Sequence, residues 1–425
     1  MNLSTVKLNR VINTERVILH SDLNSFYASV EIMLNPRLRG KAIAVCGSTE
    51  DRHGIVLAKS ELAKKAGVKT GMVNWEARAV CKDLLVVPPQ YEQYLKYSKL
   101  TRAIYNRYTD LIEPFGMDEC WLDVTGSREI RGDGMAIAEE IRRTVREELG
   151  LTVSIGISFN KIFAKLGSDM KKPDAITRIT ENDFRKKVWP LAASELIYCG
   201  HATTAKLAKY AIYTIGDLAL ADPEFLKRLL GINGIALWHY ANGTDRSRIM
   251  HRDFVSPVKS IGHGITCVCD LDTDEDVWRV ILELSQDIGH RLRVHELSAK
   301  GVQVFVRGND LLGCQFQCKL PFKTQLPSEI AAGALRVFKE NYPWTSKVRA
   351  VTVRAINLVS KDESEQLSFF CDTAKIDKRE RLEDAVESIR GRFGKKALTY
   401  AVLLGDKKMP DDGRHLAKMP GLMYQ

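Results

Sequence analysis

The order of elements between Ser260 and Val359 constrains the fold more than any other feature of this chain. Ser260 to Asp270 reads as a strand and Asp274 to Leu297 as a helix. "KGVQVFVR" and "CQFQCKLPF" read as strands, Ser328 to Asn341 as a helix, and "KVRAVTVRAINLV" as a strand. That order, β-α-β-β-α-β, is a split βαβ unit, which buries one sheet face under two helices. In the two middle strands Val302, Val304, Val306, Cys314, Phe316 and Cys318 alternate with Gln303, Arg307, Gln315, Gln317 and Lys319. Period-two alternation sends the first set to a core and leaves the second as a polar, partly basic face.

At 425 residues the chain is long enough for two to four such units. Its 63 Lys+Arg against 53 Asp+Glu give a formal charge of +10, which suits a polyanionic partner without requiring one. No run approaches the roughly 18 apolar residues of a membrane span, so a cytoplasmic protein without membrane attachment is expected. The nine cysteines are scattered. Cys267/Cys269 and Cys314/Cys318 fall within strands and lack a second Cys/His pair at zinc-site spacing, so they read as packing residues.

Further toward the N-terminus, "VILHSD" (Val17 to Asp22) is a buried strand, and a helix with Phe26, Val30, Met33 and Leu34 on one face follows at once. Asn24 or Ser25 is the expected N-cap. Asp22 therefore stands beside unpaired N–H groups of a helix start, a setting that favours phosphate oxygens and a divalent ion bridging to them. "GMDECWLDV" (Gly116 to Val124) places Asp118 and Glu119 side by side at the mouth of a second strand. Adjacent strand residues point to opposite faces, so a bend is required if both acids are to act with Asp22. Three carboxylates so arranged could hold two divalent ions for in-line phosphoryl displacement. Singly, each acid is also consistent with a cap or a solvated turn.

"HSDLNSFYASVEIMLNPRLRGKAIAV", "GMDECWLDVTG" and "TVSIGISFNKIFAKLGSDMKKP" occur in an order and at a spacing that resemble Y-family DNA polymerases of the DinB/UmuC type. The likeness runs from about Arg16 to Val359. It implies an α+β multidomain right hand: palm 1–30 and 75–182, fingers 31–74, a helix-hairpin-helix-like helical thumb 183–245, a linker 246–257, and the split βαβ unit 258–360 as little finger. A tail, 361–425, would carry one helix.

The resemblance further implies that Asp22, Asp118 and Glu119 are the catalytic carboxylates. With the Leu23 carbonyl they would bind two Mg²⁺ ions, for which Mn²⁺ can substitute. Ser25, Phe26 and Tyr27 would cradle the dNTP, with Tyr27 as the aromatic steric gate against a ribose 2′-hydroxyl. Lys172 would reach the phosphates. Lys161 and Lys165 are either DNA-backbone contacts or a solvated helix face. Gly200, Gly231 and Gly234 are DNA-contacting hairpin glycines or plain helix connections. Gln366, Leu367, Phe369 and Phe370 resemble a sliding-clamp docking peptide. Primer–template DNA, dNTP and clamp are thus the expected partners of a monomer acting in damage tolerance, with low fidelity and no proofreading.

Three positions depart from the family pattern. Gly116 stands where Ser is frequent. Glu61 and Lys64 stand where many members carry a Tyr and an Arg that grip the triphosphate, so Lys64 keeps the charge but not the bidentate fork. These departures leave open a polymerase-shaped DNA- and clamp-binding protein with little catalysis. A two-metal nuclease would also use the carboxylates but would leave Tyr27 and the clamp peptide without a role.

Overall fold

The computed structural model describes residues 16–364 and 373–410. Its first half contains β1 (Ile18–Leu23), β2 (Ile43–Cys46), β3 (Val56–Lys59), β4 (Leu85–Val87), β5 (Ile112–Pro114), β6 (Glu119–Asp123), β7 (Val153–Ser158) and β8 (Ile176–Arg178). Five of these form the sheet β5-β6-β1-β7-β8. β1 lies at its centre with all six residues buried, antiparallel to both β6 and β7.

The two faces of β1 meet different helices. Leu19 and Leu23 enter a core with Ile137, Ile141 and Val145 of the helix Gly134–Leu149. Ile18 packs instead with Trp121 and with Ala164 of the helix Lys161–Met170. Gly156 and Gly167 let that second helix sit close to the sheet. A Cβ on Gly156 would lie 1.9 Å from the Ala164 carbonyl oxygen, and one on Gly167 would lie 3.2 Å from the Gly156 Cα.

A smaller sheet, β3-β2-β4, forms the fingers. Because β4 pairs parallel with β2 through Ile43 and Leu85, this small sheet extends to Val87. The thumb is helical, with His201–Ala208, Ile215–Leu220, Pro223–Leu230 and Ile232–Ala241. The 246–257 segment has no regular structure, yet it is fastened to the palm. The Met250 N–H donates to Glu113 Oε2 at 3.1 Å and the Arg252 N–H to the Asp110 carbonyl at 2.9 Å.

The little finger contains β9 (Ile261–Leu271), β10 (Leu297–Gly308), β11 (Gly313–Thr324) and β12 (Val348–Ser360) in the antiparallel order β11-β10-β12-β9. The helices Asp274–Val294 and Pro327–Asn341 complete the expected β-α-β-β-α-β order. Val302, Val304 and Val306 are fully buried, as the alternation requires. The tail helix, Thr373–Phe393, lies against these helices, where His290 Nδ1 and Glu387 Oε2 are 2.6 Å apart and Arg390 donates to Gln286 at 2.5 Å. Beyond it, Leu403 inserts into the little-finger core. The cysteines among the described residues are free thiols, and none of the described helices is long and apolar enough to cross a membrane.

Candidate active site

Pairing register brings the acids together. Asp22 on β1 lies directly opposite Glu119 on β6, and directly opposed residues of an antiparallel pair share a face. His20 opposite Trp121 and Ile18 opposite Asp123 share it too, and it is the face covered by Lys161–Met170. Asp118 precedes β6 in a bend entered at Gly116, whose φ is +93°. Two backbone bonds fasten this bend. The Phe115 N–H donates to the Glu119 carbonyl at 2.8 Å, and the Leu23 N–H donates to the Asp118 carbonyl at 2.9 Å. The bend that adjacent acids demanded is therefore present, and a glycine supplies a backbone angle that L-residues rarely adopt.

Two lysines stand among these carboxylates. Lys165 Nζ lies 2.8 Å from Glu119 Oε1 and 3.5 Å from Asp22 Oδ2, and Lys172 Nζ lies 2.6 Å from Asp22 Oδ2. Asp169 binds both, at 3.0 Å from Lys165 and 2.9 Å from Lys172. Below them, fully buried His20 has Nε2 3.6 Å from Glu119 Oε2 and Nδ1 2.9 Å from Ser168 Oγ. Burial, then the Lys165 charge, holds His20 well below its ordinary pKa, so it stays neutral. Burial pushes the Asp118 carboxyl up to about 7, with the Glu119 and Asp22 charges adding to it. Burial likewise lifts Asp22 to about 6, although Lys172 opposes the rise.

Burial leads both shifts, and repulsion among the acids adds to it, offset in part by the lysines. Hard oxygen donors under such mutual repulsion suit Mg²⁺. Among the described residues, no three His, Cys, Asp or Glu side chains already stand at ligand spacing. Lysine amines lie between the acids, so ion binding requires these side chains to rearrange.

Beside the acids, the helix Phe26–Leu34 begins at Ser25, which is left-handed (φ 46°, ψ 43°), and no side chain caps it. Phe26 is buried in the core. Tyr27 stacks on Tyr94 with centroids 4.1 Å apart and an 8° tilt, while Tyr91 meets it edge-on at 6.1 Å. The Tyr94 hydroxyl donates to buried Glu31 at 2.5 Å, and Gln90 donates to the same carboxylate at 2.7 Å. Burial, then the negative charge of Asp118, raises the Tyr27 phenol above its usual range. Tyr27 is thus clamped from two sides, by Tyr94 and Tyr91.

The remaining expected site residues are distributed as follows. Lys161 is engaged within the palm, 2.6 Å from Glu113 and over the Trp121 ring at 4.5 Å. Lys64 is exposed on the fingers helix Glu61–Lys65. Gly200 starts a thumb helix with open space around it. Gly231 turns between two helices at φ +68°, also in open space. Gly234 is a packing glycine, since a Cβ there would lie 2.2 Å from the Leu226 carbonyl. Gln366, Leu367, Phe369 and Phe370 lie outside the described residues. Sequence reasoning missed Asp169, His20, Glu31 and Tyr94. The i, i+4 spacing of Lys165 and Asp169 was the available signal for the first.

Comparison with known proteins places this geometry among relatives. The impB/mucB/samB family matches residues 21–169, and the C-terminal domain of the same family matches 258–369. The chain is 49% identical over 393 residues to DNA polymerase IV of Acetivibrio thermocellus, covering 92% of this chain and 98% of that one. It is 34% identical to DNA polymerase IV of Moorella thermoacetica, covering 93% and 98%. Among solved structures, a Y-family DNA polymerase chimera, Dbh-Dpo4(243-245)-Dbh, superposes with a TM-score of 0.71 at 22% identity, covering 81% of this chain and 99% of the chimera.

Proposed function

The chain belongs to the Y-family DNA polymerases of the DinB type, the impB/mucB/samB family, and from that premise we propose that it is a translesion enzyme that extends a primer–template in DNA damage tolerance. It is a DNA-directed DNA polymerase. The finer reading is ours: dNTPs are added to the primer 3′ end with low fidelity and without proofreading, by a cytoplasmic monomer. The observation that carries it is the register that sets Asp22 opposite Glu119, with Asp118 in the adjoining bend and Tyr27 on the helix that follows the Asp22 strand.

Asp22, Asp118, Glu119 and the Leu23 carbonyl would hold two Mg²⁺ ions, or Mn²⁺ in their place. Ions held there would supply acidification of the primer 3′-hydroxyl and neutralisation of charge on the departing pyrophosphate. The chain's own residues do the rest. The uncapped first turn after Ser25 offers N–H groups to phosphate oxygens. Lys172, tethered by Asp169, carries a positive charge to the same place. The clamped Tyr27 ring presents a fixed wall to the sugar, which excludes a 2′-hydroxyl by contact. The polar face of β10 and β11 lies along the DNA backbone, supplying affinity rather than sequence choice. Gln366, Leu367, Phe369 and Phe370 dock on the sliding clamp.

Primer extension tests this reading. Wild-type protein should add dNTPs only with a divalent ion, and Asp118→Ala or Glu119→Ala should abolish addition while DNA binding persists. A wild type that binds DNA but adds nothing under any divalent ion would replace this reading with a polymerase-shaped binding protein.

A further inference from the structure

Glu61, one of the departures from the family pattern, has a partner across the boundary between fingers and palm. Its Oε1 accepts a hydrogen bond from the Ser25 hydroxyl at 3.0 Å, between residues 36 apart in sequence. Ser25 opens the helix whose N–H groups no side chain caps. A carboxylate thus stands at the positive end of a helix, where a phosphate oxygen would find the same donor and the same field. The fingers scaffold aims it there. Ser60, the preceding residue, caps the Glu61–Lys65 helix by accepting from the Ala63 N–H, and it also accepts from the Ile43 N–H at 3.0 Å.

Two cations share the vicinity. Lys59 is half-buried at the end of β3, donating to Thr70 Oγ1 at 2.9 Å, and Lys64 lies one turn beyond Glu61. Burial, then the Lys64 charge, lowers the Lys59 pKa, and Glu61 opposes that shift. Both lysines flank Glu61 where the strand turns into the helix, Lys59 two residues before it and Lys64 three after.

We propose that Glu61 is a built-in competitor for the nucleotide triphosphate: its carboxylate occupies the Ser25 hydroxyl, leaves it when a dNTP binds, and turns to Lys59 and Lys64 as its alternative partners. The inference rests on the reading of Ser25 to Tyr27 as the phosphate cradle. It explains how an acid can stand where relatives place phosphate-gripping residues. The acid sets the affinity for nucleotide downward, and the two lysines limit the loss.

The test is single-nucleotide insertion on a primer–template with the full chain, separating KM for dNTP from kcat. Glu61→Gln keeps the size and the acceptor but removes the charge. Its KM should fall about fivefold, the effect of one charge about 4 Å from another when water screens the pair fully, with a smaller change in kcat. Glu61→Lys should lower KM further. Equilibrium binding of a non-hydrolysable α,β-imido dNTP to the enzyme–DNA complex should tighten in the same order. A merely structural Glu61 would give unchanged or raised KM in both variants, and that result overturns the proposal. If the wild type inserts nucleotide and the KM series is flat, only this inference falls. If the wild type inserts none, the polymerase reading itself falls.

Discussion

Replacing Gly116 by serine, the residue that the family resemblance leads one to expect there, should harm this protein. The φ of +93° at Gly116 costs an L-residue about 1–2 kcal/mol. Loss of glycine's freedom in the unfolded chain returns about 0.4–1 kcal/mol. The balance, about 1 kcal/mol of destabilisation, corresponds to about 2–4 °C in Tm for a unit of 150–250 residues. The effect on catalysis should be larger than that on stability. If the bend relaxes to a negative φ, the bonds from Phe115 to Glu119 and from Leu23 to Asp118 cannot both persist, and Asp118 shifts. Misplacement by about 1 Å can lower a rate by about a hundredfold. Thermal melting and primer-extension kcat, measured on Gly116→Ser and Gly116→Ala, check both. If both variants melt with the wild type and extend at its rate, the positive φ is dispensable and the reasoning fails.

Four further outcomes are expected. Tyr27→Ala should raise ribonucleotide incorporation, read by competing rNTP and dNTP insertion, and unchanged sugar selectivity would remove the gate. Tyr94→Phe leaves the buried Glu31 carboxylate short of a donor and should cost about 1–3 kcal/mol of stability by denaturant melting. The raised carboxyls give a pH dependence with a definite sign. Asp22 and Asp118 titrate in the folded protein at about 6 and about 7, above their ordinary 3.8, so the ion-free fold binds protons that the unfolded chain has released. Its stability contribution from these groups is full below pH 3.8 and is lost as pH rises through about 7. At the proposed ion site Mg²⁺ would compete with those protons, so the half-saturating Mg²⁺ concentration in extension assays should rise as pH falls below about 7. Deleting Gln366 to Phe370 should weaken clamp pull-down without altering unassisted extension.

Much of the site was legible because its signals are local. Asp22 at a strand end, two acids at a turn and an aromatic after a cap are each visible within a few residues, and their order along the chain did the rest. The little finger was legible because period-two alternation in Val302, Val304 and Val306 follows from burial of one face. What stayed hidden depends on contacts distant in sequence. Lys165 reads in the sequence as a DNA-backbone contact or a solvated helix face, and only the Gly156–Gly167 approach, which sets its helix over the acids, brings it to Asp22 and Glu119. β4 is three residues of a polar-flanked run, and only its pairing with β2 assigns it to the fingers. The 246–257 segment has a linker's composition, yet Glu113 and Asp110 hold its backbone.

The unbulged pairing of β1 with both neighbours makes the catalytic geometry discrete rather than adjustable. Side chains alternate strictly along a strand, so sliding β6 by one residue would turn Glu119 away from Asp22 altogether, with no intermediate arrangement. Mutations in this sheet should therefore sort into two populations, those that keep the register and retain activity and those that lose it outright. Graded changes in rate would have to arise elsewhere, in the fingers contact at Ser25 or in the aromatic clamp on Tyr27. Sequence change that tunes such an enzyme would then proceed through those peripheral contacts while the acid-bearing strands stay fixed.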